Sequence, residues 1–140
     1  MNDTLHLTAG HALSELKMVA GAAHDFLQQR EVGAPVLYLT QLALEEILSN
    51  IIRHGGTSGP GTSIAIELRA NGGGVDLHVV DQARPFDPRT APEPDLHAPL
   101  ERRTAGGLGI PLLRSLTSDM RYERIGGSNH LRVHIAPPIS

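Results

Sequence analysis

The segment LALEEILSNIIRHG, residues 42–55, carries the first candidate chemistry. Glu46 and Asn50 are one helical turn apart, so a helix through this segment stacks a carboxylate and an amide on one face. A buried carboxylate needs a partner and an amide is a weak one, whereas a hard cation such as magnesium, which takes oxygen ligands, would change the balance. At steps of about 100° per residue, Leu44, Ile47, Leu48 and Ile51 form the obvious core face. Leu39, Leu42 and Ala43 lie with Glu46 and Asn50 on the other side, so the pair is expected to face a partly enclosed space, with Glu45 pointing away into solvent. Alone, the pair reads more readily as a polar stripe; it gains meaning only beside machinery for phosphates.

Two further stretches supply such machinery. VVDQARPFDP, residues 79–88, ends an apolar strand pattern on Asp81. A carboxylate there can accept a hydrogen bond from an amino group such as that of adenine, or simply start a turn. RRTAGGLGI, residues 102–110, places Gly106, Gly107 and Gly109 before an apolar helix-like run, with Arg102 and Arg103 just upstream. Glycines let backbone amides approach a ligand closely, and a helix N-terminus favours anions; the same stretch also suits a flexible joint. Other nucleotide signatures are missing: there is no G-x-x-x-x-G-K-[ST] loop and no protein-kinase H-R-D or D-F-G set, and the only lysine, Lys17, is far from any glycine-rich stretch. The histidines do not read as a zinc site. His130 and His134 would share a strand face about 13 Å apart at ~3.3 Å per residue, and His24 and His97 have no partner at ligand spacing.

The elements that must position these groups follow from periodicity. TLHLT, residues 4–8, reads as a strand, and Leu13, Leu16, Ala20, Ala23 and Leu27 mark a helix. Gly33-Ala34-Pro35 breaks the chain, and a second helix runs to about His54. Ile64, Ile66 and Leu68 alternate, as do Val75, Leu77 and Val79, with NGGG between them: a hairpin. From about 87 to 105 there is no period and there are four prolines, which reads as a functional lid or a disordered stretch. A helix is expected after Gly109, then a second hairpin with Leu131, Val133 and Ile135 facing inward. Phe26 and Tyr38, at helical positions, read as core. The expected fold is an α/β (α+β) two-layer sandwich, its mixed, mainly antiparallel sheet covered on one face by three helices, in a single domain over 1–140.

Bulk properties narrow the classes further. The chain has 140 residues, a net charge of −3, no cysteine and four aromatic residues. That excludes disulfides and thiolate chemistry, and it disfavours nucleic-acid binding, which wants basic runs and stacking platforms. MNDTLHLTAG has neither a basic nor an apolar leader segment, and no run approaches a membrane span. The expected setting is the cytoplasm, with no direct membrane or nucleic-acid contact.

In order, the chain has Glu46-x-x-x-Asn50 with His54, Asp81 with Phe86-Asp87-Pro88, a proline-rich lid, then Gly106-Gly107-Leu108-Gly109. Over nearly its whole length this resembles the superfamily of gyrase, the ninety-kilodalton heat-shock protein, histidine kinases and MutL. Within it the chain is most similar to the stand-alone anti-sigma factor serine/threonine kinases of RsbW and SpoIIAB type. The resemblance implies a Bergerat-type ATP-binding fold, with ATP and Mg2+ as cofactors. It implies Asn50 as the magnesium ligand, Glu46 as general base and Asp81 as reader of the adenine amino group. Gly106, Gly107, Leu108 and Gly109 would surround the phosphates, Arg103 would reach them from the lid, and Ala83, Phe86 and Ser128 (or its neighbour Asn129) would lie near the base.

The implied partners are a STAS-type anti-sigma antagonist as phosphoryl acceptor, a sigma factor, and a second copy of the chain in a homodimer. One departure matters: the family's Asp-x-Gly is here Asp81-Gln82-Ala83, and alanine resists positive φ. That keeps a second reading open, a non-catalytic ATP-binding module that sequesters a partner. A third, the ATPase domain of a histidine kinase, is disfavoured because the chain leaves no room for a helical hairpin carrying an acceptor histidine.

Overall fold

Alternating strands and 3.6-period helices build two layers. A computed structural model describes residues 3–10, 12–54, 63–82 and 119–137. In chain order these form β1 (Thr4–Ala9), α1 (Leu13–Gln29), α2 (Ala34–His54), β2 (Ile64–Asn71), β3 (Gly74–Asp81), β4 (Asp119–Ile125) and β5 (Ser128–Ile135). The strands make one sheet in the order β1-β2-β3-β5-β4, and every pairing is antiparallel. The architecture is the expected α+β sandwich, with two differences. The described sheet is wholly antiparallel rather than mixed, and two helices rather than three are described. The third helix, expected after Gly109, and the lid at 87–105 lie outside the described residues.

Both hairpins close through two glycines. Gly72 and Gly73 have φ of 61° and 84°, and Gly126 and Gly127 have 54° and 84°. A two-residue loop with positive φ at both positions matches the right-handed twist of the strands it joins. Helix α1 stops differently. Glu31 takes the left-handed conformation (φ 57°), its N–H donates to Gln28 O, and Val32 N–H donates back to Leu27 O at 3.2 Å. This is a Schellman closure with glutamate where glycine is usual. The chain then enters α2 with Pro35 in its first turn, where a missing N–H costs nothing.

The inner face of the sheet carries Ile64, Ile66, Leu68, Val75, Leu77, Val79, Leu131, Val133 and Ile135, all at most 7% exposed. Val19, Ala23, Phe26 and Leu27 of α1 and Val36, Ala43, Leu44, Ile47 and Leu48 of α2 complete one buried cluster. Phe26 is core as expected, but Tyr38 is not: it is 67% exposed. The reason is angular. Val36, Thr40 and Ala43 hold the buried side of α2, and Tyr38 sits about 200° from its neighbours at i−2 and i+2. Thr40 is tolerated inside because its hydroxyl donates to Val36 O at 2.8 Å.

Candidate functional site

Helix α2 packs on β3 and β5, the strands that carry Asp81 and Asn129. Along it, Glu46 and Asn50 share one face of an unbroken helix and are both half-buried, whereas Glu45 is exposed. The Glu46 Oε2 atom is out of contact with solvent.

Asp81 ends β3 and is 4% exposed. It stands directly opposite Asn129 of β5, which stands directly opposite Arg124 of β4. Asn129, 5% exposed, donates from Nδ2 to Asp81 Oδ1 at 2.9 Å. Its own Oδ1 accepts from Arg124 Nη1 at 3.0 Å and from the Tyr122 hydroxyl. A buried carboxylate is tolerated only with such partners. Here they come from the strand alternation itself: Asn129 precedes the inward Leu131, Val133 and Ile135 at the same period of two.

Of the residues singled out from sequence, the structure brings Asp81 together with Asn129. Ser128 is half-buried on the opposite alternation, beside the turn and paired with Ile125. The motifs left Ser128 and Asn129 open; counting the period of two back from Leu131 picks out Asn129. The link from Tyr122 and Arg124 to Asp81 was not legible, because it depends on β5 pairing with β3 as well as with β4. Ala83, Phe86, Arg103, Gly106, Gly107, Leu108 and Gly109 lie outside the described residues.

The outer face of the sheet presents different chemistry. His78 and His130 meet nitrogen to nitrogen at 3.1 Å, their rings stacked at 5.3 Å. Partial burial, then Arg132 and His130, lower the pKa of His78 below 6.5 against the opposing pull of Glu67. His134 meets Asp76 at 2.6 Å. Among the described residues no group of three or more His, Cys, Asp or Glu side chains is placed to hold a metal ion. No described helix is long and apolar enough to cross a membrane.

The buried acidic strand end beside a helix carrying Glu-x-x-x-Asn is the arrangement by which known proteins can be compared. Residues 11–135 match the model of the histidine kinase-like ATPase domain. The chain belongs to that family. ATP is therefore the nucleotide this fold handles. A curated relative, the serine/threonine-protein kinase BtrW of Bordetella bronchiseptica, is 33% identical over 132 residues, covering 88% of this chain and 93% of that protein. Within the family the chain is thus RsbW-like, as the ordered motifs implied. A crystal structure of the RsbU and RsbW domains of Rv1364c from Mycobacterium tuberculosis superposes with a TM-score of 0.64 at 17% identity. The match covers 96% of this chain but 32% of the solved one, so this chain spans about a third of that protein's length, and the likeness is one of fold.

Proposed function

We propose that this chain is a serine/threonine protein kinase and anti-sigma regulatory factor, dependent on ATP and Mg2+, that phosphorylates a STAS-type antagonist in a partner-switching pathway. One observation carries the reading. The half-buried Glu46 and Asn50 share a face of α2, and α2 packs on the strands that hold the buried Asp81 carboxylate and its amide partner. The donors fit the cofactors. An amide oxygen suits a hard cation that keeps several waters, and a carboxylate fixed as an acceptor suits an exocyclic amino group.

When bound, ATP would supply the phosphoryl group and magnesium would offset its charge. The chain's own residues do the rest. Asn50 offers its amide oxygen to the cation. Glu46 takes the proton of the incoming serine or threonine hydroxyl at its carboxylate. Asp81 holds the base, with Ala83, Phe86 and Asn129, the neighbour of Ser128, around it. Gly106, Gly107, Leu108 and Gly109 would supply backbone amides for the phosphates, and Arg103 would add charge from the lid proposed over 87–105. The whole of 1–140 serves as one domain. The same reading makes the protein a cytoplasmic homodimer that holds a sigma factor when its antagonist is phosphorylated. The relative named as a serine/threonine kinase supports this branch over a histidine kinase.

The test is phosphotransfer from γ-labelled ATP and magnesium to a lysate of the source cells, with Glu46→Gln alongside. One small labelled band is expected, reduced by roughly 100- to 10,000-fold in Glu46→Gln as for loss of a general base, with ATP binding kept. Normal labelling by the variant would dismiss Glu46 as the base. ATP binding with no labelled band from the wild type would instead support the sequestering module, a reading for which Ala83 in the adenine motif leaves room. Label on histidine would overturn the serine/threonine assignment.

A further inference from the structure

We propose that Arg124 and Tyr122, on edge strand β4, are positioning residues that set the nucleotide-base preference of the site by fixing which end of the Asn129 amide meets Asp81. The proposal rests on Asp81 reading the base. Its own ground is the direction of the hydrogen-bond chain. A guanidinium can only donate, so the end of Asn129 facing Arg124 must be its carbonyl oxygen. The Tyr122 hydroxyl donates to that same oxygen. The amide nitrogen is thereby turned to Asp81, where it donates to Oδ1. The row Arg124–Asn129–Asp81 runs straight across β4, β5 and β3, so each group is set by strand register rather than by a loop.

The chain of donors ends on a carboxylate that can only accept while ionised. Such an end welcomes a ligand that donates, like the 6-amino group of adenine. It opposes one that presents an acceptor, like a 6-oxo group, because two acceptors then face each other out of water. Were the amide reversed, its oxygen would point at Asp81 and the carboxylate would be pushed from this role. Arg124 is exposed and on an edge strand, so changing it disturbs no core packing.

The experiment compares the affinities of ATP and inosine triphosphate for the full chain, for Arg124→Lys and for Arg124→Glu. The two nucleotides carry the same phosphates, so the altered surface charge shifts both alike and cancels in their ratio. Wild type is expected to prefer ATP. Arg124→Lys, still a pure donor, keeps the preference. Arg124→Glu, a competing acceptor, pulls the amide nitrogen toward β4 and lowers the ratio about tenfold, the worth of one hydrogen bond to a charged group. The side-chain amide resonances of Asn129 should move in Arg124→Glu and stay in Arg124→Lys, while the backbone amides of β1 and β2, across the sheet, stay in both, a pattern that loss of folding would not give. If wild type prefers ATP and Arg124→Glu keeps both that preference and the Asn129 resonances, the proposal is overturned while the ATP site stands. If wild type binds both nucleotides equally, Asp81 does not read the base, and the proposal falls with that reading.

Discussion

Asn129 and His130 are neighbours in β5 and face opposite sides of the sheet. Each meets a polar side chain of β3, Asp81 in one case and His78 in the other. The first contact has a direction. It runs from donor-only Arg124 to an acceptor carboxylate, and Asn129 and Asp81 are at most 5% exposed. The second has none, because either imidazole can donate according to its tautomer, and both rings are only half-buried. The contrast teaches where this fold commits its polar groups. Under the helices, water cannot correct a wrong orientation, so the orientation is dictated. On the open face water and protons can rearrange the contacts, so pairs are looser and respond to conditions.

The largest expected effect tests whether the faces differ in energy at all. Leu77 and His78 are successive residues of β3, the first 1% exposed on the inner face and the second on the outer. Leu77→Ala removes buried methyl groups and leaves a cavity in the core, which costs about 2–5 kcal/mol. His78→Ala at neutral pH should cost no more than about 1 kcal/mol, since its hydrogen bond is partly exposed and exchangeable with water. Urea unfolding measures both, provided the slope is unchanged. Equal losses would break the comparison.

A smaller effect sharpens it through protons. The groups facing His78 are Arg132 and His130 of β5 and Glu67 of β2, and burial followed by the first two places its pKa below 6.5. The folded state therefore binds fewer protons here than the unfolded one just below that pH. The contribution to stability is whole above pH 6.5 and is lost as pH falls toward the lowered folded-state value, below which it is flat. Urea midpoints for wild type should fall over that window more steeply than those of His78→Gln. Parallel curves would mean the pair is indifferent to protonation.

Much of this was legible before the fold. The period of two in Ile64-Ile66-Leu68 and Leu131-Val133-Ile135 gave the inner face, and the paired glycines marked both hairpins. Asp81 was legible because it is the first charge after an apolar strand, and the ordered motifs of α2 and the strand end identified the family. What could not be read was the pairing between hairpins. Nothing local states that β5 inserts between β3 and β4, yet that order alone aligns Arg124, Asn129 and Asp81 and brings His78 to His130. Tyr38 misled for a related reason. An aromatic residue at helical spacing is core only if its angle matches the sheet-facing side, and Thr40 occupies that side.

The least consequential contacts should be the outer face's exposed ion pairs, and this bounds the comparison from below. Arg121 Nε donates to Asp119 Oδ2 at 2.9 Å within β4, with the two side chains 76% and 48% exposed. The geometry is good, but water competes for both partners and two long side chains lose freedom in holding it. Arg121→Ala should therefore shift stability by less than about 0.5 kcal/mol, and added salt should barely change the difference. Arg124 lies on the same strand three residues on, is also exposed, and also meets an oxygen at 3.0 Å. If Arg121→Ala leaves the ATP-to-inosine-triphosphate ratio untouched while Arg124→Glu changes it, the distinction rests on where each arginine's acceptor lies. Asn129 is sealed against a buried carboxylate, whereas Asp119 is open to water.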